Sequence, residues 1–147
     1  MGSLVSSREM PGTPEMVFDA IIRPSTWAQW FSIHRDFVQP PPDRLTEGAT
    51  LVSRVALLGL DDELEWVVEV LDAPYRIVLL GSGNGGVRSE FTYWLRPSPE
   101  GTTLTIGGVF TGPHITPEYS ATLERHGRAE LADTLDRLAA VLAAGRV

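Results

Sequence analysis

From about residue 49 to 111 the chain alternates apolar and polar side chains with period two, in runs at about 49–58, 63–72, 75–81, 87–96 and 102–111. Successive runs are separated by turn chemistry: GLDD, DAP, GSGNGG and PSPEG. Connections this short join neighbouring strands as an antiparallel meander. A meander with one apolar face has to bury that face under another element. The next element is a helical pattern from Thr116 to Ala144, with Thr116 as N-cap, Pro117 at the first helical position and Gly145 as the stop. Its apolar residues recur at 115, 119, 123, 131, 135, 138 and 142, the stripe needed to cover a sheet.

Charge fixes the register of the sheet. Placing Glu65, Glu69, Arg54, Arg88, Glu90 and Arg96 in water turns Leu51, Ser53, Val55 and Leu57 inward, with Leu64, Trp66, Val68 and Val70 on the next strand. Ile77 and Leu79 follow, then Val87, Ser89, Phe91, Tyr93 and Leu95, and finally Leu104, Ile106, Gly108 and Phe110. Gly127 occupies the helical stripe between Leu123 and Leu131, where glycine costs about 1 kcal/mol relative to alanine. Two readings are open there: close helix–sheet contact, or room for a ligand.

Upstream, LVSSREM (4–10) reads as a strand. Residues 14–22, capped by Thr13, and 25–31, restarted by Pro24, read as two short helices. The second carries STWAQWF. Trp30 and Phe31 are expected to wedge the pair against the sheet; Trp27, one turn before Phe31, faces either the core or a chamber. A short strand beginning at His34 then leads into a proline-rich turn.

Composition removes several functions. The 147 residues suit one domain spanning 1–147. There is no cysteine, which excludes disulfides and thiolate chemistry, and every basic residue is arginine, so no lysine can form a Schiff base. A net charge of −7 argues against nucleic acid. No run of apolar residues is long enough for a membrane span, and the N-terminus lacks a signal-peptide pattern, so a cytoplasmic location is expected. The expectation is a protein with no metal and no cofactor, because the spacing of His34, His114, Asp61 and Asp62 supports no ligand set. His126 is expected in solvent, and Glu124 either in solvent or at the chamber. GSGNGG lacks the lysine and helix of a phosphate loop and reads as a flexible hairpin.

The helix pair with TWAQWF, the segments EGATLVSRVALLGL, LEWVVEVLDAPYRIVLL and EFTYWLRPSPEGTTLTI, and the long terminal helix together resemble the START/Bet v 1-like (SRPBCC) superfamily, and within it the polyketide cyclase/dehydrase and lipid-transport family. The resemblance implies an α+β helix-grip fold: a curved antiparallel sheet of about seven strands, ordered β-α-α-β6-α, wrapped around the C-terminal helix and enclosing an apolar chamber. It implies binding of a small hydrophobic molecule such as a lipid or polyketide. The alternatives are a cyclase/aromatase or dehydratase acting on such a molecule, and an interaction module of the co-chaperone or toxin-component kind, for which outward Trp94 and Val109 are the surface hints. Monomer and homodimer both remain open.

Alternate connections of a meander share an end. The 32–35, 58–62, 81–86 and 112–116 segments are therefore expected to form the mouth. Candidate ligand-binding residues are Trp27, Ser53, Val55, Trp66, Leu79, Ser89, Phe91, Tyr93, Phe110, His114, Tyr119, Leu123 and Gly127. Tyr93 and His114 are the side chains with catalytic chemistry: a hydroxyl for a carbonyl or enol, and an imidazole at the mouth for proton transfer.

Overall fold

A computed structural model describes residues 2–57 and 60–145. The inward position of Leu57 and the first two residues of the 58–62 connection lie outside the described set. The elements are β1 (Gly2–Pro11), α1 (Pro14–Ile21), a 3-10 turn (Pro24–Thr26), α2 (Trp27–Trp30), β2 (His34–Phe37), β3 (Thr50–Leu57), β4 (Leu60–Asp72), β5 (Arg76–Ser82), β6 (Arg88–Ser98), β7 (Gly101–Thr111) and α3 (Pro117–Ala143). All strands form one sheet in the order β1-β7-β6-β5-β4-β3-β2, every neighbour antiparallel. The long helix covers its inner face, giving the helix-grip architecture.

The caps form where the sequence puts them. Thr13 accepts from the Met16 N–H and Thr116 from the Tyr119 N–H, while Gly145 ends α3 at φ 67°. The second short helix is less regular than expected: Pro24 opens a 3-10 turn, and the α-helical part ends at Trp30, because Phe31 is already extended. Its aromatics plug the core. The Trp27 indole N–H donates to the Ile21 carbonyl at 2.9 Å, and the Trp30 indole donates to Thr26 Oγ1 at 2.9 Å. Thr26 in turn donates to the Ala20 carbonyl at 2.7 Å. Each buried indole thus satisfies its polar edge within the helix pair.

The pairing shifts at two places, between His34 and Asp36 in β2 and within β4, and the shift in β4 changes an expected inward position. A β-bulge in β4 between Val68 and Val70 shifts the pairing with β5. Beyond it Leu71 pairs with Ile77 and packs on the core, while Val70 pairs with Val78 on the outer face. The inward assignment of Val70 is therefore corrected: one extra residue reverses the alternation.

Large side chains on the inner face lie against small ones across the strands. Trp66 pairs with Gly81, Phe91 with Gly108 and Phe110 with Gly2. A Cβ on Gly81 would come within 2.9 Å of the Trp66 ring, one on Gly108 within 2.8 Å of Phe91, and one on Gly2 within 3.0 Å of Phe110. Each ring thus lies where the glycine has no side chain. Trp66 is also fixed by its indole N–H, which donates to the buried Ser53 hydroxyl at 2.9 Å.

Polar contacts tie α3 to the rest. Glu124 accepts the Ser3 backbone N–H at 2.8 Å, which fixes that side chain on the edge strand rather than in the chamber. Arg8 pairs with Asp136 at 2.9 Å. Thr134 accepts the Ser32 N–H at 3.1 Å, joining α3 to the segment after α2.

Gly81 and Gly108 respond differently to a methyl group. Trp66 is fully buried and hydrogen-bonded, so Gly81→Ala has no room to relax and is expected to cost about 1–3 kcal/mol. Phe91 borders open space and can tilt away, so Gly108→Ala should cost measurably less. Urea denaturation of the two variants checks the order, and equal losses would contradict it.

Candidate functional site

Where the first two turns of α3 pass over the sheet, side chains from both layers leave a cavity of about 170 Å³. Val55, Leu64, Phe91 and Phe110 form its sheet wall, and Tyr119 and Leu123 its helix wall. Ile33, Asp62, Val87 and Ile115 bring one residue from, or next to, each of the four connections expected to form the mouth. A second space of about 40 Å³ continues along α3 beside Leu4, Phe31, Gly127 and Leu131. Ile33, Phe91 and Phe110 border both and form the partition between them.

Val55, Ser89, Phe91, Phe110, Tyr119 and Leu123 line the larger space, and Gly127 lines the smaller. Trp27, Ser53, Trp66, Leu79, Tyr93 and His114 line neither. Trp27, Trp66 and Leu79 are packed into the core, and Ser53 is occupied by Trp66. Tyr93 is buried among apolar neighbours, and desolvation raises its phenol well above the ordinary value of 10, which keeps the hydroxyl protonated. His114 is exposed beside Gly85. Gly127 is a place of close helix–sheet approach: a Cβ there would lie 2.3 Å from Leu4 Cδ2, so the Leu4 side chain fills the space the glycine leaves.

Ile33, Leu4 and Asp62 contribute to the lining although they are not among the candidate ligand-binding residues; Asp62 and the 32–35 segment were expected at the mouth. Asp62 carried a signal. β4 begins at Leu60, earlier than expected, and Asp62 pairs with Val55 two residues before Leu64, so the inward period-two set extends back to a carboxylate. The residue is half-buried, and one of its oxygens accepts the Glu63 N–H at 2.8 Å. Ser89 Oγ is buried against Gly81 without a hydrogen-bond partner. Tyr119, 37% exposed, stands at the rim.

His34 differs from the expectation of a rim histidine. It is buried, and its ring sits 4.6 Å from Phe37, 6.0 Å from Trp27 and 6.5 Å from Phe31, centre to centre. Its Nδ1 has no partner. Among the described residues, no three of His, Cys, Asp or Glu converge as a metal site.

Burial holds the His34 imidazole below its ordinary value of 6.5, against the opposing pull of the Asp36 carboxylate. The folded chain therefore binds this proton less readily than the unfolded chain. Stability is expected to fall as pH drops through 6.5 toward the folded-state value, and the His34 contribution levels off below it. Denaturant midpoints between pH 8 and 5 should show this loss in the native chain and a smaller one in His34→Phe. Identical pH profiles would contradict it.

The sequence over residues 1–143 matches the family described as polyketide cyclase/dehydrase and lipid transport. An uncharacterised protein of Mycobacterium tuberculosis is 30% identical over 106 residues, which is 72% of this chain and 74% of that protein. A second protein of the same organism, named as a toxin, is 22% identical over 143 residues, covering 97% of this chain and 99% of its own length. Among solved structures, protein Ms6760 of Mycobacterium smegmatis superposes with a TM-score of 0.75 at 15% identity, over 97% of this chain and 92% of its own. No helix among the described residues is long and apolar enough to cross a membrane. With its matched span, its helix-grip sheet and a cavity between sheet and helix, this chain belongs to the polyketide cyclase/dehydrase and lipid-transport family.

Proposed function

We propose that the protein holds a small apolar molecule in the space beneath the start of α3, as a binding or carrier protein. The observation that carries this reading is the cavity of about 170 Å³, walled by Val55, Leu64, Phe91, Phe110 and Leu123 and reached between the connections at one end of the sheet. Binding sites of this kind are mostly apolar with a few placed polar groups. A dry apolar cavity of roughly 150 Å³ takes a guest the size of benzene, so the space suits a single ring or a short branched chain. Membership of a family that includes lipid transport supports the same reading. Tyr93 and His114, the two side chains to which a reaction would look, stand outside the lining, which favours holding over turnover.

Toluene is a direct probe. It should bind saturably and shift the methyl resonances of Val55, Leu64 and Leu123. Leu123→Trp fills the same space with an indole and should weaken toluene at least tenfold, about 1.4 kcal/mol, without loss of thermal stability. A folded native chain whose methyl resonances do not respond to toluene would overturn the proposal.

A further inference from the structure

We infer that Phe110 sets the length of the guest: its ring closes a channel that would otherwise run under α3 from Tyr119 to Leu131, so the protein takes single rings and short chains and turns away long acyl chains. The inference rests on the proposed binding of an apolar molecule and adds the size class of that molecule. The larger space and the smaller one follow each other along one face of the helix. Tyr119 and Leu123 line the first, Gly127 and Leu131 the second. Spaced four apart, these residues span about 18 Å of helix. A cavity of roughly 150 Å³ holds benzene, so the larger space takes about six carbons.

The three side chains that border both spaces do so in different ways. Phe91 lies along the sheet, its ring over Gly108 and 5.8 Å from Trp66, centre to centre. Ile33 enters from the segment between α2 and β2. Phe110 reaches from one layer to the other. It is rooted in β7, and a Cβ on Gly2 would come within 3.0 Å of one edge of its ring. The tip of the ring, Cζ, lies 4.0 Å from where a Cβ on Gly127 of α3 would stand. Two glycines thus give the ring its place, and Leu4 fills what remains beside Gly127. Phe110 is buried, and a ring held on two sides in a close-packed interior has little freedom to swing aside. Beyond it the smaller space is ready for an apolar chain. Leu4, Phe31 and Leu131 line it, and the polar groups at its border, Ser32, Glu130 and Thr134, hydrogen-bond to one another. An apolar chain would gain by entering that space, and Phe110 stands in its way.

Straight-chain 1-alkanols from 1-butanol to 1-decanol test this on the full chain, each titrated by calorimetry and followed by methyl NMR. The hydroxyl stays at the wet mouth, so the chain reports depth. In the native protein, affinity should rise about fourfold per added methylene, about 0.8 kcal/mol, up to roughly six carbons and then level off. The methyl resonances of Val55, Leu64 and Leu123 should respond, and those of Leu4 and Leu131 should not. Phe110→Ala joins the two spaces. It should bind 1-octanol at least tenfold more tightly than the native chain does, with Leu4 and Leu131 now responding. Phe110→Leu keeps a branched apolar side chain on β7 and should move the limit in the same direction by a smaller step, so the test does not depend on the alanine variant folding. A native chain whose affinity climbs through 1-decanol while Leu4 and Leu131 respond, or a limit unchanged in a folded Phe110 variant, would overturn the role of Phe110 and leave the apolar site standing. Failure of 1-butanol and 1-hexanol to bind at all would overturn the proposed binding function itself.

Discussion

The inner face of the sheet is organised by rings that lie across glycines. Trp66 lies against Gly81, Phe91 against Gly108 and Phe110 against Gly2, each a direct cross-strand pair. A strand glycine ordinarily weakens a sheet, since it offers no side chain to pack and loses more entropy on folding. Here the neighbouring ring restores the packing. Because the rings lie along the sheet, α3 can approach at Gly127, where Leu4 fills the gap, and the layers part again toward Leu123 and Tyr119. The same contacts that close the core at one end of the helix leave space at the other.

That division agrees with the distribution of polar groups. Several buried hydrogen-bonding side chains find partners inside the protein: Trp27 with Ile21, Trp30 with Thr26, Trp66 with Ser53, and Ser32 with Thr134, whereas Ser98 Oγ does not. At the open end, Ser89 Oγ has no protein partner and a carboxylate stands in the inward register. An unpaired buried hydroxyl such as that of Ser89 costs stability in a finished core. His34 is an exception within the closed part, an imidazole surrounded by rings, and its cost appears as resistance to protonation.

Most of the fold was legible in the sequence because its signals are local. Turn dipeptides, period-two alternation, and Thr-Pro-Glu at the start of α1 and α3 each act over a few residues, and apart from the start of β4 the elements form within a residue or two of where those signals put them. What failed was non-local or cumulative. The bulge at 68–70 leaves the composition of β4 unchanged, yet it turns Val70 out and Leu71 in. The cavity lining was half legible. Val55, Phe91, Phe110 and Leu123 follow from register, but every inward residue looked equally available. Whether Trp66 or Leu79 reaches open space depends on what lies above it, and depth beneath the helix has no sequence periodicity. Asp62 was legible as a residue of the mouth but not as an inward strand position, because the alternation reads as a strand from residue 63 whereas β4 begins at Leu60.

The central claim is that the first two turns of α3 stand over space that is apolar and unfilled. A crystal pressurised with xenon tests it most directly, because xenon enters dry apolar cavities of this size and needs no polar contact. The expected result is a xenon site bounded by Ile33, Phe91, Phe110 and Leu123. A crystal that diffracts well under pressure but shows side chains packed across that space, with no xenon between them, would contradict the claim.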